Sequence, residues 1–258
     1  MSSLMYAIII FFVSFYSYKR RSLTKSGAIA AFFVGMGIAI GFGYKGLIVL
    51  GAFFVSSSML SKYKSKTKKT MEKKTQKGST RDWLQVMANG ALAAIVGVIY
   101  YITKESMWIT VFAILLAAAN SDTWASEIGS LSKKRPLSIR NFKEAETGTS
   151  GAVSILGTVA GLAGSLLIAL ITTLLFPIQL WGFFLIFLFG FLGNVLDTLL
   201  GAYIQVEYQC PVCGKIVETR MVCHKTVGKI KGYTFFNNDM VNVLSGFFAA
   251  FGYLILHL

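Results

Sequence analysis

Long apolar runs separated by short polar stretches organise this chain. A membrane-crossing helix needs roughly 20 mainly apolar residues, or about 17 at the short end. By that measure the sequence predicts eight spans, at 2–18, 27–43, 46–61, 83–102, 107–126, 148–176, 180–204 and 237–258. The third is short and serine-rich. The sixth is long enough to be tilted or to carry an interfacial turn before Pro177. The apolar stretch at Met1–Phe15 has no basic residues ahead of it and a positive cluster behind it, so it reads as a retained first span rather than a secretory signal. The expected fold is all-α: one polytopic transmembrane domain over residues 1–258.

Composition agrees with the pattern. Of 258 residues 55% are hydrophobic and 14% are charged, far below the quarter usual in soluble domains, which excludes an ordinary soluble enzyme. The formal charge of +14 reports topology and contact with anionic headgroups, not nucleic acid. Of the 25 Lys and Arg, 23 fall in alternate connections: 19–26, 62–82, 130–146 and 205–236. Only Lys45 and Lys104 lie in the opposite set. The positive-inside bias therefore makes these four loops cytoplasmic and both termini external. The expected setting is a prokaryotic plasma membrane. The lysine-rich loop at 62–82 reads as solvated chain beside acidic lipid, with polyphosphate binding as the alternative.

Carboxylates inside spans are costly, about 2.5–3.5 kcal/mol on insertion scales, and tend to face an interior site. Asp122 and Glu127 close the fifth span, Asp197 closes the seventh and Asp239 opens the eighth, so all lie near the cytoplasmic boundary. Asn89, Asn120, Asn194, Asn237, Asn238 and Asn242 share that depth. The segments Asn120-Ser-Asp122-Thr123 and Asn194-Val-Leu-Asp197-Thr198 form a weak internal repeat, offset by one residue. Helix caps and interhelical hydrogen bonds would explain any one of these residues. Together they offer two carboxylates on different helices, an oxygen-only set that suits Mg²⁺ shared with substrate phosphates.

Three span openings carry glycine, hydroxyl and basic residues: Arg21–Gly27, Lys77–Asp82 with Arg81, and Glu146–Ala152. In the last, Gly148, Thr149, Ser150 and Gly151 are expected at a helix start, where free backbone N–H groups bind anions, with Arg140 and Lys143 just upstream. Capping and packing are the simpler use of each alone. No glycine-lysine loop stands in a strand-to-helix setting, which excludes a soluble P-loop enzyme. In the loop at 205–236, Cys210, Cys213, Cys223 and His224 have the spacing of a possible structural zinc knuckle; reduced, unliganded cysteines are the alternative.

Asn120-Ser-Asp-Thr-Trp-Ala-Ser-Glu-Ile-Gly129 with Gly148-Thr-Ser-Gly151 resembles the integral-membrane family called domain of unknown function 92, the transmembrane protein 19 group, which includes the plant phytyl-phosphate kinases. The similarity extends to Arg21–Gly27, Lys77–Asp82, Gln85–Gly90, Asp197–Ala202 and Asn238–Asn242, nearly the whole chain. The resemblance implies a kinase that transfers a phosphoryl group from a nucleoside triphosphate to an isoprenoid monophosphate. CTP is the donor expected by analogy with membrane phytol and dolichol kinases. In that reading Asp122 and Asp197 hold Mg²⁺, Asp239 is catalytic with them, Asn120, Asn194 and Asn238 are further ligands or stand behind them, and Asn89 belongs to the phosphate-binding set. Arg21, Arg81, Arg140, Lys143 and the Gly148–Gly151 segment take the phosphates. The rival readings are a transporter or flippase of lipid phosphates using the same site, and a scaffold whose polar residues only join helices.

Overall fold

The structure, a computed structural model, describes residues 2–63, 80–211, 216–218, 221–222 and 225–257. Among them are seven helices: α1 (Ser3–Lys19), α2 (Lys25–Lys62), α3 (Trp83–Thr103), α4 (Met107–Gly129), α5 (Ile155–Leu175), α6 (Leu180–Tyr203) and α7 (Asn238–His257). Six are long and apolar enough to cross a membrane, and α1 is a shorter apolar helix.

The second and third expected spans are both inside α2. Gly43 breaks it, with φ 60° and ψ −147°, a backbone that side chains with a β-carbon rarely adopt. An unbroken helix of that length would extend about 57 Å at 1.5 Å per residue. Instead its end lies beside its beginning: Lys62 Nζ donates to Arg20 O at 2.9 Å and to Ser22 Oγ at 2.7 Å. The two halves are therefore antiparallel. Eight apolar segments result, with both termini at one end of the bundle.

That end also holds Gly43 and the turns after α3 and α5, and it is closed by aromatic packing. The Phe42 ring stacks on Phe112 at 4.3 Å and Tyr100 at 4.9 Å and meets Phe176 edge-on. Lys45 covers the Phe176 ring and Lys104 the Tyr101 ring, so the two cations outside the basic loops sit together here. The described parts of the basic loops gather at the opposite end. There Thr80 Oγ1 donates to Arg21 O at 2.9 Å and Ile139 N to Gly151 O at 3.0 Å.

Helix α4 runs through the middle, buried from Ile109 to Ala118 without a gap. It is the least hydropathic of the six long helices and the most enclosed. This is physically consistent, because a helix surrounded by protein can carry Asn, Ser and Asp that lipid would reject.

Two parts of the basic end depart from expectation. The sixth span was expected to open at Gly148, but helix α5 begins at Ile155, capped by Ser154 Oγ accepting from Gly157 N at 3.1 Å. Gly148 and Gly151 have φ of 84° and 74°, which no helix allows. The strands β1 (Leu137–Ser138) and β2 (Ala152–Val153) pair antiparallel and fold the preceding loop inward. Residues 205–236, expected as a loop, contain a small β-cap. Strands β3 (Glu207–Gln209), β4 (Ile216–Val217) and β7 (Gly228–Lys231) form an antiparallel sheet in the order β4-β3-β7. Strands β5 (Met221–Val222) and β6 (Lys225–Thr226) pair beside it. Val206, Tyr208, Cys210, Val217 and Val227 make the cap's own core. Lys231 fastens it to α6, pairing with Glu207 at 3.3 Å and donating to Gly201 O at 3.1 Å. Of the expected zinc ligands Cys210 is buried in that core; Cys213, Cys223 and His224 lie outside the described residues, as does most of the 62–82 loop.

Candidate functional site

A cavity of about 380 Å³ opens at the basic end, within the range typical of small-molecule sites. Its walls come from α2 to α7, the loop before α5 and the β-cap, and each key side chain is set by local backbone chemistry.

Arg81 enters first. Its backbone is sewn to the start of α2: Arg81 N donates to Ser22 O at 3.0 Å, and Thr24 N donates to Arg81 O at 2.9 Å. The next residue, Asp82, caps α3 through a reciprocal box with Gln85, each side chain accepting from the other's backbone N–H at 3.0 and 3.2 Å. The chain on both sides being fixed, the guanidinium reaches inward over the rings of Phe53 and Phe54, at 5.5 and 5.9 Å. Burial lowers its pKa from the ordinary guanidinium value to about 10, partly opposed by the negative charge of Glu127. It stays charged at neutral pH. Glu127 in turn accepts from Ser61 Oγ.

At the centre are Asp122 of α4 and Asp197 of α6, whose carboxyl groups are within hydrogen-bonding reach of each other. Helix α7 supports the second. Asn242 donates to Asp197 Oδ2 at 2.8 Å and to Asn238 O at 3.3 Å, and Ser245 Oγ donates to the same carboxylate oxygen at 3.3 Å. Two facing carboxylates in a low-dielectric setting need a proton or a cation between them.

The loop ahead of α5 forms the opposite wall. Thr149, Ser150 and Gly151 line the cavity with Gly148. A β-carbon on Gly151 would strike Ala202, so only glycine lets this loop rest against α6. Gln205 Nε2 donates to Ser150 Oγ at 2.8 Å and to Glu218 Oε1 at 2.8 Å, and Ser150 Oγ donates to Glu218 Oε1 at 3.1 Å. The cap thus contributes a carboxylate to the site.

Of the residues singled out in the sequence, Asp122, Asp197, Asp239, Arg81, Asn89, Asn194, Asn238 and Gly148 to Gly151 line this cavity. Arg21, Arg140 and Lys143 do not; their side chains are exposed. Asn120 does not either. It is fully buried, accepting from Ser56 and Ser57 Oγ and donating to Gly164 O at 2.7 Å, so it ties α4 to α2 and α5. Helix geometry explains why Asn194 differs. At about 100° per residue, an offset of three leaves Asn194 on the Asp197 face, whereas an offset of two turns Asn120 away from Asp122. Gln85, Gln205, Glu218 and Ser61 also line it without having been expected as site residues. Gln85 follows Asp82 at capping-box spacing, which was a usable signal; nothing local marked Gln205 or Glu218.

Among the described lining residues Arg81 is the single cation against five carboxylates, Asp122, Glu127, Asp197, Glu218 and Asp239. No group of three His, Cys, Asp or Glu among the described residues is placed to hold a metal by itself. A pair of carboxylates with amide neighbours does fit Mg²⁺, which keeps waters and completes its shell with substrate phosphates.

The family model described as Integral membrane protein DUF92 matches residues 8–250. The chain belongs to that family. It is 34% identical to Protein PGR of Arabidopsis thaliana, over 94% of this chain and 92% of that one. It is 35% identical to the uncharacterized membrane protein MJ0933 of Methanocaldococcus jannaschii, over 72% of this chain and 76% of that one. With Protein VTE6, chloroplastic, of Arabidopsis thaliana it shares 26% over 86% of this chain and 62% of that protein. No solved structure matches the chain. It is therefore an integral membrane protein of the DUF92 family, with its polar cavity at the end where its basic segments gather.

Proposed function

We propose that the protein is a membrane kinase that moves the terminal phosphoryl group of a nucleoside triphosphate, CTP by analogy, onto an isoprenoid monophosphate. The observation that carries this reading is the facing of Asp122 and Asp197 inside a cavity that also holds Arg81 and the Gly148–Gly151 loop. The family resemblance supplies the reaction class. The positive-inside bias supports a cavity facing the cytoplasm, where a soluble nucleotide and a lipid-borne phosphate would both have access.

In the reaction an oxygen of the lipid phosphate bonds to the terminal phosphorus as the bond from that phosphorus to the bridging oxygen breaks. The products are the lipid diphosphate and a nucleoside diphosphate. The attacking oxygen is already ionised at neutral pH, so the site needs no strong base; positioning and charge neutralisation do most of the work. Arg81 offers the fixed positive charge, and its planar fork suits two phosphate oxygens. The Thr149 hydroxyl and the backbone N–H groups of Ser150 and Gly151 offer donors on the facing wall. Asn242 and Ser245 hold the Asp197 carboxylate in one orientation. Mg²⁺ held by Asp122 and Asp197 would neutralise phosphate charge that five carboxylates otherwise repel.

The test is direct. Purified protein in nanodiscs, given Mg²⁺, radiolabelled nucleoside triphosphate and farnesyl monophosphate, is expected to form labelled farnesyl diphosphate. Failure with all four nucleotides and a range of prenyl phosphates, alongside transbilayer movement of the lipid phosphate in liposomes, identifies a transporter instead.

A further inference from the structure

Arg140 and Lys143 lie outside the cavity, and they flank a feature that internal packing does not explain. The segment from Pro136 to Ala145 is a tight hairpin. Ala145 N donates to Pro136 O, Ser138 N to Lys143 O and Phe142 N to Ser138 O, each at 2.9 Å. The Ser138 and Asn141 side chains accept from Arg140 N and Lys143 N at 3.3 and 3.1 Å. At the tip Phe142 has φ 54°. That backbone suits glycine or asparagine and is unusual for a bulky residue, yet Asn141 stands one place earlier and the phenylalanine takes the turn. Its side chain is 81% exposed, the most of any large apolar residue described outside the helices.

The hairpin lies across the ends of the helices. Strand β1 pairs with β2 in the register Leu137 to Val153 and Ser138 to Ala152, and Ile139 N donates to Gly151 O at 3.0 Å. Gly151 packs against Ala202, the penultimate residue of α6. Val153 stands two residues before α5, whose outer side is bare from its first turn, with Ile155 and Val159 exposed. A bare apolar face on a spanning helix belongs in lipid, so the edge of the bilayer is at this level. Leu137 pairs on its other side with Glu144, two residues from Phe142. Two strand spacings of about 4.8 Å and a rise of about 3.3 Å per residue put Phe142 within about 12 Å of Val153.

Charge selects the occupant. Arg140 and Lys143 flank the ring, and Lys133, Lys134 and Arg135 are exposed on the same loop, against the carboxylates of Glu144 and Glu146. A ring at the interface with cations on either side matches an acidic headgroup layer. We propose that the hairpin tip is a membrane anchor: the Phe142 ring enters the headgroup layer beside the bundle, and Arg140 and Lys143 hold acidic phospholipid there. Through the bond from Ile139 N to Gly151 O the anchor also steadies the loop that lines the cavity. None of the three tip residues lines the cavity itself.

Phe142→p-benzoylphenylalanine tests this in the full-length protein, held in nanodiscs of equal parts phosphatidylcholine and phosphatidylglycerol, by irradiation and peptide mass spectrometry. The peptide carrying position 142 is expected to gain lipid adducts. Phosphatidylglycerol should be taken at least about fivefold over phosphatidylcholine, the effect of one cation at an acidic surface. Arg140→Gln combined with Lys143→Gln should erase that preference. Adducts to protein or solvent alone, or equal capture of the two lipids, overturn the proposal. Amide exchange over Glu146–Ser154 checks the tie to the cavity loop. Phe142→Gly suits the turn but removes the ring, so in the same nanodiscs it should speed exchange there and leave α4 unchanged. Equal or slower exchange would make Phe142 a turn former only and overturn the anchor. None of these readouts needs turnover, so they stand or fail independently of the phosphotransfer assay.

Discussion

The carbonyl oxygen of Arg81 packs so close to Gly27 that a β-carbon there would strike it. That contact lets the segment before α3 lie flat on the start of α2, and it carries the guanidinium into the cavity. Gly27→Ala should push Arg81 outward at an overpacking cost of about 1–3 kcal/mol. The expected result is a rise of about tenfold in KM for the phosphate donor with a smaller change in kcat, since tenfold corresponds to about 1.4 kcal/mol of binding. Steady-state kinetics on the purified variant check it.

The Arg81 guanidinium, lowered to about 10 by burial, keeps its charge throughout the physiological range. The sign for stability follows. Above about 10 the unfolded chain still binds this proton and the folded one does not, so this group destabilises the fold below about 10 and that cost fades as pH rises. A lysine there starts from a lower value, about 10.4, and burial lowers it further in the same direction. Arg81→Lys should therefore bind nucleotide well at pH 6.5 and lose affinity by pH 9, while the wild type holds its affinity over the same interval. Equilibrium binding at the two pH values distinguishes them.

Asn120 gives the opposite signature. Its three interhelical partners, Ser56, Ser57 and Gly164, are worth about 0.6 kcal/mol each by the average for membrane helices. Asn120→Ala should lower unfolding free energy by about 2 kcal/mol and leave both KM values within about threefold. A large KM change with unaltered stability would move Asn120 from the packing of the bundle to the site.

The bundle was readable because its physics is one-dimensional: apolar length sets the spans, and the alternation of basic loops gathers their described parts at one end. The serines that set the third span apart in the sequence are what it uses to hold Asn120 and Glu127. Asp122, Asp197 and Arg81 were legible because a charge at the membrane boundary needs a reason. Arg140 and Lys143 looked equivalent to Arg81 in the sequence, but of the three only Arg81 is sewn by its backbone to the start of α2 and lines the cavity. The left-handed glycines at 148 and 151 turned an expected helix start into an inward loop. Glu218 reaches the site only through the folding of the β-cap, a long-range event with no local trace.

The facing of Asp122 and Asp197 is the centre of the account, and substitution of either tests it most directly. Asp122→Asn and Asp197→Asn, assayed for Mg²⁺-dependent formation of prenyl diphosphate, should each lose at least about 100-fold in kcat, the scale seen when one charge-stabilising group is removed. With chelator present both should melt at or above the wild-type temperature, because an amide relieves the opposed carboxylates. Variants that keep more than a tenth of wild-type activity, or that fail to turn over only because they unfold, would contradict a catalytic role for this pair.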